Sequence, residues 1–76
     1  MKYIGMIESC YPSLSKSERK VADYIMLEKG NVIYETLLEV SKKINVGEAT
    51  ILRFVKKVGF NGFQDLKLQI AKEDQP

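Results

Sequence analysis

The sequence has 76 residues, which allows a single domain, and its hydrophobic content of 45% excludes disorder as the default. It contains no histidine and one cysteine, Cys10, so an internal disulfide is excluded, and neither a metal site nor a nucleophilic or acid–base catalytic site is expected. The apolar runs are too short to span a bilayer, and the N-terminus lacks a signal peptide's apolar core and cleavage site. We therefore expect a cytoplasmic domain that is not an enzyme, requires no cofactor and does not bind membranes.

Hydrophobic spacing predicts a short amphipathic helix over residues 2–11. Tyr3, Ile7 and Tyr11 lie four residues apart, which places them on one side of a helix. Pro12 ends this helix because proline disfavours α geometry at the residue before it. The apolar stripe of Tyr3, Ile4 and Ile7 forms either part of the domain core or a dimer surface, and the core is the preferred interpretation.

A second helix begins with a capping signature, in which Ser15 and Glu18 satisfy each other's backbone amides. Gly30 is expected to end this helix, because glycine accepts the left-handed conformation that is common just after a helix. A connector over residues 31–35 follows, and its apolar residues are expected to reach the core. The inner face of the second helix repeats apolar residues at helical spacing: Val21, Ala22, Ile25 and Met26.

Residues 37–58 have the layout of a DNA-binding helix-turn-helix, which is two helices joined by a very tight turn. Asn45 lies where the turn requires a positive φ, and asparagine is one of the few residues besides glycine that tolerates it. Ser41 is small and lies where the two helices would cross closely. The apolar residues that support this pattern are Val40, Ile44, Val46, Ile51 and Phe54.

The third helix is predicted to begin at Thr36, the fourth to cover about residues 47–58 and the fifth to begin around residues 61–62. The sequence therefore predicts an all-α fold of about five helices, similar to a homeodomain, in one domain over residues 1–76. Its DNA-reading unit would be residues 36–58, with the fourth helix in the major groove. The inner face of the fifth helix would carry Phe63, Leu66 and Ile70.

Basic residues are concentrated in the reading unit. Residues 36–57 contain five basic and two acidic residues, a net charge of +3, whereas residues 1–35 contain five of each and residues 58–76 contain two basic and three acidic residues. The overall net charge is only +2 and is weak support for a nucleic-acid partner. Because clusters of this size also occur on ordinary protein surfaces, this one supports nucleic-acid binding only together with the helix-turn-helix pattern.

The reading unit supplies the predicted DNA contacts. Glu48, Ala49 and Arg53 are expected to approach base edges, because a helix in the major groove presents its exposed side chains to them. Lys56 and Lys57 are expected to hold the phosphate backbone, and the start of the third helix is expected to present amides to a phosphate. The complete set of predicted DNA-binding residues is Thr36, Lys42, Lys43, Gly47, Glu48, Ala49, Thr50, Arg53, Lys56 and Lys57.

Each of these residues also has a purely structural interpretation. Arg53 and the lysines can be solvated surface charges, and Lys56 and Lys57 favour a helix C-terminus through the macrodipole. Glu48 favours a helix N-terminus for the same reason, and Thr50 can hydrogen-bond within its own helix. A second class of function therefore stays open: a small helical protein–protein interaction domain that does not bind DNA and has an exposed apolar groove for a partner helix.

Two runs of the sequence carry a resemblance to a known family: LSKSERKVADYI, which begins at Leu14, and GEATILRFVKKVGFNGFQDLK, which begins at Gly47. Over about residues 4–72 the chain resembles the N-terminal domain of RpiR-type bacterial transcriptional regulators, in which a typical run reads close to SxATIxRFxKKLGFxGFxxLK. Where that family often has serine, this chain has Gly47, which still serves as an N-cap at a cost of about a few tenths of a kcal/mol. Asn45 replaces the more usual turn glycine.

This resemblance implies a function in transcription. Members usually bind operator DNA and regulate genes of sugar and sugar-acid metabolism, and full-length members usually carry a C-terminal sugar-isomerase-type domain that senses phosphosugars. That domain is absent from the sequence, so the resemblance implies a fragment that binds double-stranded DNA sequence-specifically, whereas a phosphosugar effector would act only through the absent domain. The full-length protein would be a homo-oligomer, most simply a dimer that reads two half-sites.

Overall fold

The computed structural model describes residues 1–74, and within them the chain forms five α-helices and two short 3-10 segments, with no β-strand. The predicted all-α fold is therefore confirmed; residues 75 and 76 of the predicted domain lie outside the described residues. None of these described helices is long and apolar enough to cross a membrane. The helices are α1 (Lys2–Cys10), α2 (Lys16–Glu28), α3 (Leu37–Ile44), α4 (Glu48–Val58) and α5 (Phe63–Glu73).

The predicted starts of α2 and α3 are confirmed, and both are fixed by reciprocal capping boxes. At α2, the backbone amide of Ser15 donates to Oε1 of Glu18 at 2.8 Å, and the amide of Glu18 donates to Oγ of Ser15 at 3.2 Å. At α3, Thr36 and Glu39 make the same pair of bonds at 2.8 and 3.1 Å. These contacts join residues only three apart, which is why the sequence alone predicts them.

The end of α2 differs from the prediction. The helix stops before Lys29, and Lys29, at φ 47°, has the positive φ that was expected of Gly30. The chain continues directly into a 3-10 segment, Lys29–Tyr34. This change of direction places Val32 in the core. Gly30 instead permits a close approach, since a Cβ added to it would lie 2.6 Å from Oδ2 of Asp74.

One apolar core lies between the helices, and every helix contributes to it. The stripe on α1 belongs to this core, because Tyr3 and Ile7 have no exposed surface, so the core interpretation is confirmed. Val55, which the spacing argument does not include, is buried as well. The buried apolar residues are Tyr3, Ile7, Leu14, Val21, Ala22, Ile25, Val32, Val40, Val46, Ile51, Phe54, Val55, Val58, Phe63, Leu66 and Ile70.

A charged side chain joins the start of α1 to the end of α5. The carboxylate of Glu73 accepts a hydrogen bond from the backbone amide of Tyr3, with its two oxygens at 3.2 and 3.3 Å from the nitrogen. That amide is one of the first N–H groups of α1, which have no partner inside the helix, and α1 has no side-chain cap of its own at Met1. Glu73 therefore links α5 to α1, because it accepts a hydrogen bond from an α1 amide 70 residues away.

Truncation of Phe54 should destabilise the domain strongly. Its side chain is 0% exposed on the inner face of α4, so Phe54→Ala should lower the free energy of unfolding by about 3–5 kcal/mol. Leu52 lies on the same helix but is 38% exposed, and the control Leu52→Ala should cost less than about 1 kcal/mol. Chemical denaturation followed by circular dichroism measures both values. Equal losses in the two variants would show that the orientation of α4 is wrong.

Candidate nucleic-acid interface

The turn between α3 and α4 has the conformation that the sequence predicts. Asn45 has φ 54° and ψ 50°, which is the left-handed region. Oγ of Ser41 donates to the carbonyl oxygen of Val46 at 2.6 Å, and the amide of Val46 donates to the carbonyl oxygen of Ser41 at 3.1 Å. Ser41 therefore does more than allow a close crossing of the helices, because its hydroxyl fixes the direction in which the chain enters α4.

α4 has one buried face and one exposed face. Ala49, Arg53 and Lys56 are exposed and recur at intervals of four and three residues, so they share one stripe of the helix. We call these three residues the reading face. Gly47 and Glu48 are exposed at the N-terminus of the same helix. The opposite face is buried in the core and consists of Ile51, Phe54, Val55 and Val58.

The N-terminus of α4 begins at Gly47, which makes no side-chain capping bond. Its φ of −62° is ordinary for any residue, and nothing lies within 4 Å of the position that a Cβ would occupy. The serine that often stands here in the family that the sequence resembles would therefore fit. With glycine, the first amides of α4 have no side-chain acceptor from the capping position, and such amides attract anions.

Two cations of α4 contact a buried carboxylate of α2. Nζ of Lys57 donates to Oε1 of Glu18 at 2.9 Å, and Nε of Arg53 lies 3.6 Å from Oε2 of Glu18. Nη2 of Arg53 also donates to Oγ1 of Thr50 at 3.1 Å. Glu18 is 1% exposed, and the hydrogen bonds from the Ser15 backbone and then from Lys57 hold its pKa below the ordinary value. Arg53 and Lys57 therefore already have partners within the domain, although their side chains are 59% and 44% exposed.

A second buried carboxylate, that of Glu35, lies just before α3. It is 8% exposed and accepts hydrogen bonds from Oη of Tyr24 at 2.7 and 2.9 Å and from the ammonium group of Lys43. Burial alone would raise the pKa of Glu35, but the bonds from Lys43 and Tyr24 leave it below the ordinary value. Burial and the bond to Glu35 raise the pKa of Tyr24 to about 12. Because Nζ of Lys67 donates to the Glu35 carbonyl at 2.7 Å, α2, α3 and α5 meet at this residue.

The predicted DNA-binding residues outside the reading face have different surroundings. Thr36 and Lys42 are exposed at the two ends of α3, and the Thr36 hydroxyl accepts the capping bond of that helix. The ammonium groups of Lys43 and Lys57 contact buried carboxylates 8 and 39 residues away, which sequence reasoning missed. In the sequence, Glu18 is visible only as a cap. Within residues 1–74, no three or more Cys, Asp or Glu side chains come together as a group that could hold a metal ion.

The comparison with protein families identifies the kind of domain. A family model described as "Helix-turn-helix domain, rpiR family" matches residues 1–76. The chain belongs to this family. The resemblance carried by the two sequence runs is thus confirmed.

Curated relatives of this rpiR-family chain carry names of the same class. An uncharacterized HTH-type transcriptional regulator from Clostridium perfringens (strain 13 / Type A) is 51% identical over 73 residues, which cover 96% of this chain and 26% of the relative. The HTH-type transcriptional regulator HexR from Escherichia coli (strain K12) is 38% identical over 72 residues, which cover 95% of this chain and 25% of HexR. The chain thus spans about a quarter of the length of these curated relatives.

Solved structures of related proteins have the same fold. The N-terminal domain of ybbH from Bacillus subtilis subsp. subtilis str. 168 matches with a TM-score of 0.83 at 39% identity, over 91% of this chain and 84% of that chain. The Vibrio vulnificus NanR protein, complexed with ManNAc-6P, matches with a TM-score of 0.88 at 27% identity, over 93% of this chain and 27% of that chain. These similarities confirm the helix-turn-helix fold of the rpiR-family domain.

The domain should lose stability in acid but not near neutral pH. Burial by itself would raise the pKa values of Glu35 and Glu73. Hydrogen bonds nevertheless leave the pKa values of four glutamates below the ordinary value: Glu18, Glu35, Glu39 and Glu73. A carboxylate with a lowered pKa stabilises the fold above its unfolded pKa of about 4.3, and this contribution is lost as the pH falls through the folded value. Because the sequence contains no histidine, the melting temperature should change little from about pH 6 to 8 and fall below about pH 4.5.

Thermal melts from about pH 3 to 8 measure this dependence. Glu35→Gln removes one of the four carboxylates, so the melting temperature of this variant should fall less between about pH 4.5 and 3 than that of the wild-type chain. A melting temperature that stays constant or rises in acid would contradict the stabilising role of these carboxylates.

Proposed function

We propose that this domain binds double-stranded operator DNA sequence-specifically, with α4 in the major groove. One observation carries the proposal: the tight turn after α3 leads into a helix whose apolar face is buried, so its basic reading face is the surface left for a ligand. A helix presented in this way is the means by which helix-turn-helix domains read base edges. Membership of the rpiR family supports the same function.

Within the reading face, we assign base contacts to Ala49 and Arg53 and a phosphate contact to Lys56. An arginine can pair with O6 and N7 of guanine through two donors, and an alanine can contact the methyl group of thymine. Glu48 can accept a hydrogen bond from N4 of cytosine, while Thr50 supports Arg53 through its hydroxyl. The phosphate contact would fix the register on the duplex, and the base contacts would select the sequence.

The remaining residues of the predicted set would act on the DNA backbone. Thr36 and Lys42 are exposed at the ends of α3, and Gly47 would offer the N-terminal amides of α4 to a phosphate. Lys43 and Lys57 are already paired with buried carboxylates, so they would have to share or leave these partners to reach DNA. We therefore expect their contributions to affinity to be smaller than that of Lys56.

Within the same proposal, the full-length protein regulates genes of sugar or sugar-phosphate metabolism. The support is the similarity to NanR, which was solved complexed with ManNAc-6P, and to relatives about four times as long as this chain. A phosphosugar effector would bind in a domain outside these residues, and that domain would hold two copies together. A dimer would place its two reading helices about 34 Å apart, one turn of DNA, and would raise the effective concentration of the second helix.

Binding should weaken steeply with salt if phosphate contacts supply the affinity. Each phosphate contact makes the slope of log K against log salt more negative by about 0.9. Several contacts should therefore lower the affinity about tenfold or more between about 50 and 200 mM salt. A DNA duplex that this chain selects from a random pool serves as the probe. Fluorescence anisotropy at increasing salt then measures the affinity of the chain for this duplex. A flat response would exclude this mode of binding and favour the alternative, a protein–protein interaction domain.

Arg53 and Lys56 should have separable roles in binding. Arg53→Ala should lower affinity for the selected duplex by about 1–3 kcal/mol and relax the preference at one base position. Lys56→Ala should weaken all duplexes about equally and reduce the magnitude of the salt slope by about 1. A second round of selection with each variant, followed by titration of selected and scrambled duplexes, separates these effects. A sequence-independent loss of the same size in both variants would show that Arg53 does not contact base edges.

A further inference from the structure

Glu18 does more than cap α2. Glu39 makes the same capping box at α3 while its side chain stays exposed, so capping does not require a buried carboxylate. Glu18 is 1% exposed, and both of its oxygens face basic groups of α4. A carboxylate that is removed from water needs compensating charge, and Arg53 and Lys57 supply it. The burial of Glu18 therefore indicates a role toward the reading helix.

Arg53 is held at two points before DNA is present. Its Nε lies 3.6 Å from the carboxylate of Glu18, and its Nη2 donates to the hydroxyl of Thr50 at 3.1 Å. Because the guanidinium group is planar and carries five donors, these two contacts restrain its plane and leave both donors of Nη1 for a ligand. A side chain that is already ordered loses less conformational freedom when it binds. Glu18 and Thr50 therefore prepare Arg53 for a directional contact.

Glu18 affects Lys57 differently, because its charge reduces the attraction of Lys57 for DNA phosphates. Its ammonium group already lies 2.9 Å from the carboxylate of Glu18, on the side of α4 that faces α2. The carboxylate offsets part of its charge and so weakens its attraction for phosphate. Because non-specific binding depends on phosphate attraction, this pairing lowers the affinity for DNA of any sequence.

We propose that Glu18 is a positioning residue that sets sequence discrimination, because it orients Arg53 toward the bases and restrains Lys57 from the phosphates. The inference rests on the proposed function and extends it to a residue that lies outside the reading unit. The two effects act in the same direction: one strengthens contacts with the correct site, and the other weakens contacts with every other site.

Glu18→Gln in the 76-residue chain tests this inference. Glutamine keeps nearly the same volume and an oxygen that can cap Ser15, but it removes the charge that faces α4. The probes are two duplexes of equal length and composition, one selected with the wild-type chain and one with the selected site scrambled. Affinities are measured by fluorescence anisotropy across the same range of salt.

The expected result is a loss of discrimination without a loss of binding. The scrambled duplex should bind about threefold or more tightly, and the salt slope should steepen by about 0.9, because Lys57 is released to form one further phosphate contact. The ratio of the two affinities should fall about fivefold or more, because Arg53 is no longer oriented. Glu28→Gln is the matched control: it removes the same charge from α2 about 15 Å along the helix from Glu18, and it should leave the ratio unchanged.

Three results would overturn the inference while DNA binding stands. Glu18→Gln could weaken the affinity for both duplexes equally, or it could leave both affinities unchanged. The control Glu28→Gln could lower the ratio of the two affinities as much as Glu18→Gln does. Thermal melting establishes that each variant is folded. If Glu18→Gln does not fold, Lys57→Gln and Lys56→Gln decide: the first should reduce the salt slope by less than half as much as the second, and equal reductions overturn the inference. A wild-type chain without salt-dependent or selective binding overturns the proposed function and this inference together.

Discussion

The burial of one face of α4 is the constraint on which the rest of the structure depends. Phe54 and Ile51 have no exposed surface, and α4 packs against each of the other four described helices. Because a close-packed core tolerates little rotation of a helix, this packing determines which residues face outward. The stripe of Ala49, Arg53 and Lys56 is the direct consequence, so the same contacts that stabilise the fold also present the candidate DNA surface.

Polar contacts then fix how the helices are arranged around this core. Glu18 joins α2 to α4, Glu35 joins α2 to α3 and α5, and Glu73 joins α5 to α1. Apolar packing is not directional, whereas a carboxylate that is withdrawn from water is stable only where donors or cations meet it. Glu18 and Glu35, the two buried glutamates, therefore each favour one arrangement of their helices over alternatives that would bury the same apolar area.

The basic residues of the reading unit consequently fall into two groups. Lys56 is exposed on the reading face, whereas the neighbouring Lys57 is bonded to Glu18, although the two are equivalent in charge and adjacent in sequence. Lys43 is likewise bonded to Glu35. Counting positive charges over the reading unit therefore overstates the number of unpaired charges, because the pairing of individual lysines separates candidate phosphate contacts from structural ones.

The sequence by itself determined the number of α-helices, the capped starts of α2 and α3, the turn at Asn45 and most of the buried face of α4. Each of these depends on residues a few positions apart, or on a spacing that one helical turn imposes. The tertiary structure alone decided that α2 ends at Glu28, with the positive φ at Lys29 rather than at Gly30, that Val55 is buried, and which lysines are paired. These features depend on contacts such as that between Lys57 and Glu18, 39 residues apart, for which no local pattern exists. Local spacing thus identifies the exposed face of α4, whereas distant partners set the direction of side chains such as Arg53 and Lys57.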